Sequence, residues 1–197
     1  LAEVTDFSVM HAYSVYARWA KEPLDSDVVP FANALTAALA GRPVLFEEYG
    51  LCTAAPGQPS HYQTYPIPSR GLGGVIQGQP RQQSFSSEED GAEYYRRVLA
   101  KLHRIGSLGA FGWCFADYVP ELWNRPPCDQ FVHERFFGLV RPDGSPKPIA
   151  DAIKAFAATN PVVQPQSVKI HLGVTPDEYY QEPLIHLSRL YAQFRLE

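Results

Sequence analysis

The residues best suited to chemistry stand at the ends of three apolar runs. The stretch Arg42-Pro43-Val44-Leu45-Phe46-Glu47-Glu48-Tyr49-Gly50 reads as a buried strand that ends in two carboxylates, an aromatic and a glycine. A carboxylate at the mouth of a buried strand must be held ionised by specific neighbours, because desolvation disfavours its charge. At the C-terminal end of a parallel strand the usual reason for that cost is catalysis. The bland alternative is a strand end at which two acids simply reach water. A second run, Phe7-Ser8-Val9-Met10-His11-Ala12-Tyr13, ends in an imidazole and a phenol, and a third, Ala110-Phe111-Gly112-Trp113-Cys114-Phe115, carries Trp113 near its end. Taken singly, His11 reads as a structural histidine, Tyr13 as uninformative and Trp113 as core filling.

The elements that must position these groups alternate. Phe7–Tyr13 is expected to be a strand, and Ser26 or Asp27 to cap a helix with Pro30 in its first turn. Val28, Phe31, Leu35, Ala38 and Leu39 recur at helical spacing up to a stop at Gly41. Pro43–Glu48 is the next strand. Residues 51–86 read as one long loop rich in Gly, Pro, Ser and Gln, with Tyr62 and Tyr65 inside it, and a loop of that length is usually functional or disordered. Ser86 and Glu89 form a capping-box pattern before a helix from about Glu88 to His103. Ala110–Phe115 follows as the third strand, and a helix with Ile149, Ile153 and Phe156 inward covers Pro148 to Ala158. In the tail, Val168, Ile170 and Leu172 alternate like a half-buried strand. Thr175-Pro176-Asp177-Glu178 starts a final helix lined by Leu184, Leu187, Leu190, Tyr191 and Phe194.

Composition narrows the class. A net charge of −4 over 197 residues leaves no electrostatic footprint for nucleic acid or an anionic membrane. No apolar run approaches membrane-spanning length. The three cysteines lack metal-ligand spacing and the six histidines are scattered, so neither a metal site nor a cofactor is implied. An aromatic content of 13% suits surfaces for a neutral ligand. No signal peptide is visible, but the chain opens at Leu1 rather than Met, which leaves the compartment open, secretion included.

Strand-helix alternation with candidate residues at strand ends is the layout of an α/β (β/α)8 TIM barrel. A whole barrel takes eight units and roughly 250 residues. The expectation is therefore a chain supplying strands six to eight, over residues 1–158, with a C-terminal strand-helix extension over 159–197 that packs on the barrel.

His11-Ala12-Tyr13, then Glu48-Tyr49-Gly50, then Trp113, in that order and each at a strand end, resemble strands six, seven and eight of the clan A glycoside hydrolases, most closely family 5. The segment Phe137-Gly138-Leu139-Val140-Arg141-Pro142-Asp143-Gly144-Ser145-Pro146-Lys147-Pro148 is similar to that family's stretch before its last helix. The resemblance implies a retaining glycoside hydrolase acting on β-glycosidic bonds of a polysaccharide or oligosaccharide. Glu48 matches the nucleophile, Tyr13 the tyrosine that hydrogen-bonds it, His11 a histidine lining the sugar site, and Trp113 the aromatic platform under the sugar. Tyr62 and Tyr65 are expected to approach the same cleft from their loop. Glu47 competes for the nucleophile role. Alternation places it on the opposite face, toward the helices and an Arg partner, and the Tyr-Gly that follows favours Glu48. Glu134 and Arg135 read as a structural ion pair.

The departure from the family concerns the acid/base. In the family it is a Glu following an Asn, and none of Asn33, Asn124 and Asn160 is followed by Glu. The second carboxyl is therefore expected outside this chain, on an N-terminal barrel segment of the same protein or of a second chain. The alternative is a non-catalytic carbohydrate-binding or scaffold protein of the same fold.

Overall fold

A computed structural model describes residues 4–65 and 81–194. Among them, three strands form a parallel sheet in the order β1 (Ser8–His11), β2 (Val44–Tyr49), β5 (Gly109–Gly112). Helix α1 (Val28–Ala40) connects β1 to β2, and α2 (Glu88–Ile105) leads into β5. All three strand ends thus point the same way, with β2 in the middle.

One face of this sheet is closed and the other is open. Val44 and Phe46 are fully buried, and Phe46 lies in a core with Val28, Val29, Phe31, Tyr95, Val98 and Leu102 of α1 and α2. Burying a side chain the size of Phe46 is worth about 1.5–3 kcal/mol. On the other face Val9 and Phe111 are 47% and 59% exposed. Gly41 ends α1 and Gly106 ends α2, both in the left-handed region at φ 65° and 85°. The cap of α2 is one residue later than expected. Ser87, not Ser86, accepts from the Asp90 amide. Asp27 precedes α1 but its side chain caps nothing; its carboxylate takes Lys101 and Lys21 instead.

Three expectations are corrected. The 51–86 stretch contains an antiparallel hairpin, β3 (His61–Tyr65) with β4 (Arg81–Phe85), while its part 66–80 lies outside the described residues. The hairpin shows no clean apolar alternation, since His61 to Thr64 are exposed along β3 while a polar residue, Gln83, is buried on β4. Val168, Ile170 and Leu172 form no strand; they lie half-buried against α1 and the main core with no ladder beside them. The final helix is two, α4 (Pro176–Gln181) and α5 (Pro183–Gln193), because Pro183 cannot continue the first. That break leaves Leu184 74% exposed.

The tail is anchored by aromatics. Tyr191 and Phe194 pack against Phe31, Trp19 lies on Tyr191, and the Tyr191 hydroxyl donates to Asp25 Oδ2 at 2.5 Å. Helix α3 (Pro148–Ala157) packs on α2 where Gly91 allows it: a Cβ there would lie 3.0 Å from the Ile149 side chain.

Candidate active site

Glu48 stands near the C-terminal end of the central strand, and the neighbouring strand β1 brings Tyr13 and His11 to it. The Tyr13 hydroxyl donates to Glu48 Oε2 at 2.8 Å. His11 Nδ1 lies 3.5 Å from the same oxygen. Burial first, and then the hydrogen bond to Glu48, push the Tyr13 phenol well above the ordinary tyrosine range. Tyr13 therefore acts as a neutral donor, and its proton is directed at the carboxylate.

Trp113 follows β5 on the other side. Its amide donates to the Tyr49 carbonyl at 2.8 Å, which fixes its backbone beside the residue after Glu48. Gly50 makes this approach possible, since a Cβ there would lie 2.4 Å from the Trp113 carbonyl oxygen. The residue is 38% exposed, and the Trp113–Cys114 peptide is cis.

Glu47 departs from the alternation argument. It does not turn to the helices or meet an Arg; it is 46% exposed and bonded to His11 Nε2 at 3.0 Å. The reason is a β-bulge. Pairing with β1 passes from Met10↔Phe46 to His11↔Glu48, and pairing with β5 passes from Phe46↔Ala110 to Tyr49↔Gly112, so β2 holds one extra residue against each neighbour. A bulge re-aims side chains and suspends the period-two rule that separates adjacent residues.

The hairpin residues fare differently. Tyr62 is 57% exposed on β3. Tyr65 does not face an open cleft: it is 7% exposed, and its hydroxyl is bonded to His133 Nδ1, with the two rings stacked. His133 packs on Phe137, and Phe137 meets the Tyr13 ring edge-on at 5.9 Å. Tyr65 thus belongs to the aromatic wall behind Tyr13.

Sequence reasoning passed over several residues of this wall. Tyr16 donates to Glu134 Oε1 at 3.3 Å, and His133 Nε2 lies 3.2 Å from the same oxygen. Glu134 and Arg135 are therefore not a pair. Arg135 lies over the Trp123 ring and donates to the Cys128 carbonyl. Below the wall, Lys147 Nζ donates to Asp117 Oδ1 at 2.7 Å and to Thr53 Oγ1 at 2.8 Å, tying the segments after β2 and β5 together. Burial pushes the Asp117 carboxyl up and the Lys147 ammonium down, against their mutual attraction. The visible signal for this hub was a lysine placed among apolar neighbours just before α3; Tyr16 and His133 offered none.

Among the described residues, no cluster of His, Cys, Asp and Glu could hold a metal ion, and no helix is long and apolar enough to cross a membrane. The arrangement is a carboxylate that accepts from a phenol and has an imidazole nearby, with the backbone of Trp113 held against the residue that follows that carboxylate.

No protein-family signature matches the chain, and no curated protein is similar to it. Solved structures are similar in fold. GH5_18 from Bifidobacterium longum superposes with a TM-score of 0.55 at 18% identity, over 84% of this chain and 33% of its own. A Glu-to-Ala variant of GH5_18 from Streptomyces cattleya, in complex with Manb1-4GlcNAc, gives 0.60 at 17% identity, over 98% of this chain and 43% of its own. An exo-beta-1,4-mannosidase from an Opitutaceae bacterium gives 0.51 at 22%, over 76% of this chain and 22% of its own. The chain therefore spans less than half the length of each of these glycosidases, and what it shares with them is the α/β fold of their TIM barrels.

Proposed function

We propose that this chain carries the nucleophile side of a retaining β-glycosidase site, as strands six to eight of a (β/α)8 barrel. The observation that carries the reading is the Tyr13 hydroxyl donating to Glu48 Oε2 at 2.8 Å, at the C-terminal end of the central parallel strand. In this mechanism the Glu48 carboxylate attacks the anomeric carbon as the glycosidic C–O bond breaks. The leaving oxygen takes its proton from a second carboxyl, about 5–5.5 Å from the first in retaining enzymes. That acid/base belongs to an earlier strand outside these residues. Water, deprotonated by the same group, then cleaves the glycosyl ester and restores Glu48 with net retention.

The chain's own residues have separate tasks. Tyr13 orients Glu48 through its hydroxyl. His11 and Trp113 meet the sugar, the indole supplying a flat apolar face for a pyranose ring. Tyr62, exposed on its hairpin, is the remaining candidate for a more distant contact. The carbohydrate is proposed to be a β-linked mannoside, a class supported by the Manb1-4GlcNAc complex and the mannosidase among the structural relatives.

The test is covalent labelling of the chain together with the rest of its barrel. An activated 2-deoxy-2-fluoro-β-mannoside should inactivate the protein and leave one sugar ester on the peptide containing Glu48. The gluco analogue tests the sugar class. A label on Glu47, or hydrolysis with inversion, would overturn the reading. The non-catalytic alternative predicts sugar binding without label or turnover.

A further inference from the structure

The bulge in β2 gives His11 two carboxylate neighbours in consecutive positions, and only Glu48 has a part in the reaction proposed above. We propose that Glu47 is a positioning residue: it holds the His11 ring by Nε2, and so fixes the edge that His11 presents to Glu48. The inference rests on the reading of Glu48 as nucleophile for its functional meaning, though not for its geometry.

The distances decide which nitrogen carries the proton. His11 Nε2 lies 3.0 Å from Glu47 Oε2, a hydrogen-bond length, whereas Nδ1 lies 3.5 Å from Glu48 Oε2, beyond a good one. A neutral imidazole has one donor and one acceptor nitrogen. A lone pair aimed at a carboxylate is repulsive, so the shorter contact takes the N–H. Glu47 therefore sets the Nε2–H tautomer and leaves the Nδ1 edge facing the Glu48 oxygen that also accepts from Tyr13. Without Glu47, the carboxylate contact that remains is Nδ1 to Glu48 Oε2, which favours the Nδ1–H tautomer.

The backbone explains why an adjacent residue can do this. In a regular strand Glu47 would point away from Glu48. The extra residue in β2 lies between Phe46 and Tyr49 against β5 and between Phe46 and Glu48 against β1, which turns both carboxylates to the β1 side. The side chains of His11 and Glu47 are each 46% exposed, so this contact adds little to fold stability and its loss leaves the core intact.

The test uses the chain with the rest of its barrel supplied, labelled at histidine with 15N and 13C. His11 resonances are assigned by their loss in a His11→Gln variant. At a pH where the ring is neutral, His11 should be the Nε2–H tautomer in the wild type and in Glu48→Gln. In Glu47→Ala it should shift toward the Nδ1–H tautomer, now that Glu48 is the remaining carboxylate contact. An Nδ1–H ring in the wild type, or an unchanged tautomer in Glu47→Ala, would overturn the proposal whatever the fate of the glycosidase reading. On an active protein, Glu47→Ala should lower kcat/KM about tenfold, and should have no further effect in a His11→Ala background, because one residue acts through the other. Additive losses would show that Glu47 acts independently of His11.

Discussion

The bond between Tyr13 and Glu48 joins a neutral donor to a carboxylate, and such bonds are worth about 1.5–3 kcal/mol. Burial keeps the phenol protonated far beyond neutral pH, so Tyr13 itself should add no alkaline limb to the pH–rate profile. Tyr13→Phe removes the donor and keeps the ring against Phe137. If the bond is fully used in the transition state, kcat/KM should fall by roughly 10–150-fold, the range that energy corresponds to. Glu48→Gln should go further and abolish turnover while sugar binding, measured by calorimetry, persists. Wild-type-like turnover in Glu48→Gln would remove the nucleophile assignment.

At the scale of elements, the close contact of β2 with the segment after β5 depends on Gly50. A methyl group there would lie 2.4 Å from the Trp113 carbonyl oxygen, so backbone must shift. Gly50→Ala is expected to cost about 1–3 kcal/mol, as overpacking usually does. It should also displace Trp113, read as a loss of sugar affinity larger than the stability change explains. The α1–α2 contact carries a charge pair, Lys101 Nζ to Asp27 Oδ1 at 2.5 Å. Burial raises the Asp27 carboxyl, but Lys101 and Lys21 outweigh it and hold it below its ordinary value of 3.8. A carboxyl depressed on folding contributes stability above its unfolded value and loses it as pH falls through the folded one. Lys101→Met should therefore destabilise at neutral pH by about 1 kcal/mol. It should also flatten the loss of stability below pH 3.8, measured by urea unfolding at several pH values. An equal deficit at every pH would place the effect in the packing of the lysine stem.

For the whole molecule, the open face is the governing fact. Strands β1 and β5 are the edges of the three-stranded sheet, and Val9 and Phe111 lie on its uncovered side. Unpaired strand edges and exposed apolar surface favour association. The 197 residues alone are therefore expected to be poorly soluble or partner-dependent, and inactive on glycosides, since general acid catalysis is worth roughly 10²–10⁴-fold. Co-expression with the N-terminal strands of such a barrel should give a soluble complex that hydrolyses with retention. Robust hydrolysis by the 197-residue chain alone would overturn the incomplete-barrel reading.

The sequence by itself determined the strand-helix alternation, because apolar periodicity and the Gly41 and Gly106 stops are local signals. It also determined which side chains fall at or near strand ends, since His11, Tyr13, Glu48 and Trp113 each stand toward the end of an apolar run. Only the tertiary structure decided where those side chains point. Alternation within β2 sent Glu47 toward the helices, and the bulge returned it to His11, because a bulge is defined by pairing with neighbouring strands and leaves no trace in one strand's residues. The same holds for the hairpin. Tyr65 looked like a loop aromatic free to meet a ligand, but its burial depends on His133, 68 residues away, and contacts at that distance are made only when the chain folds.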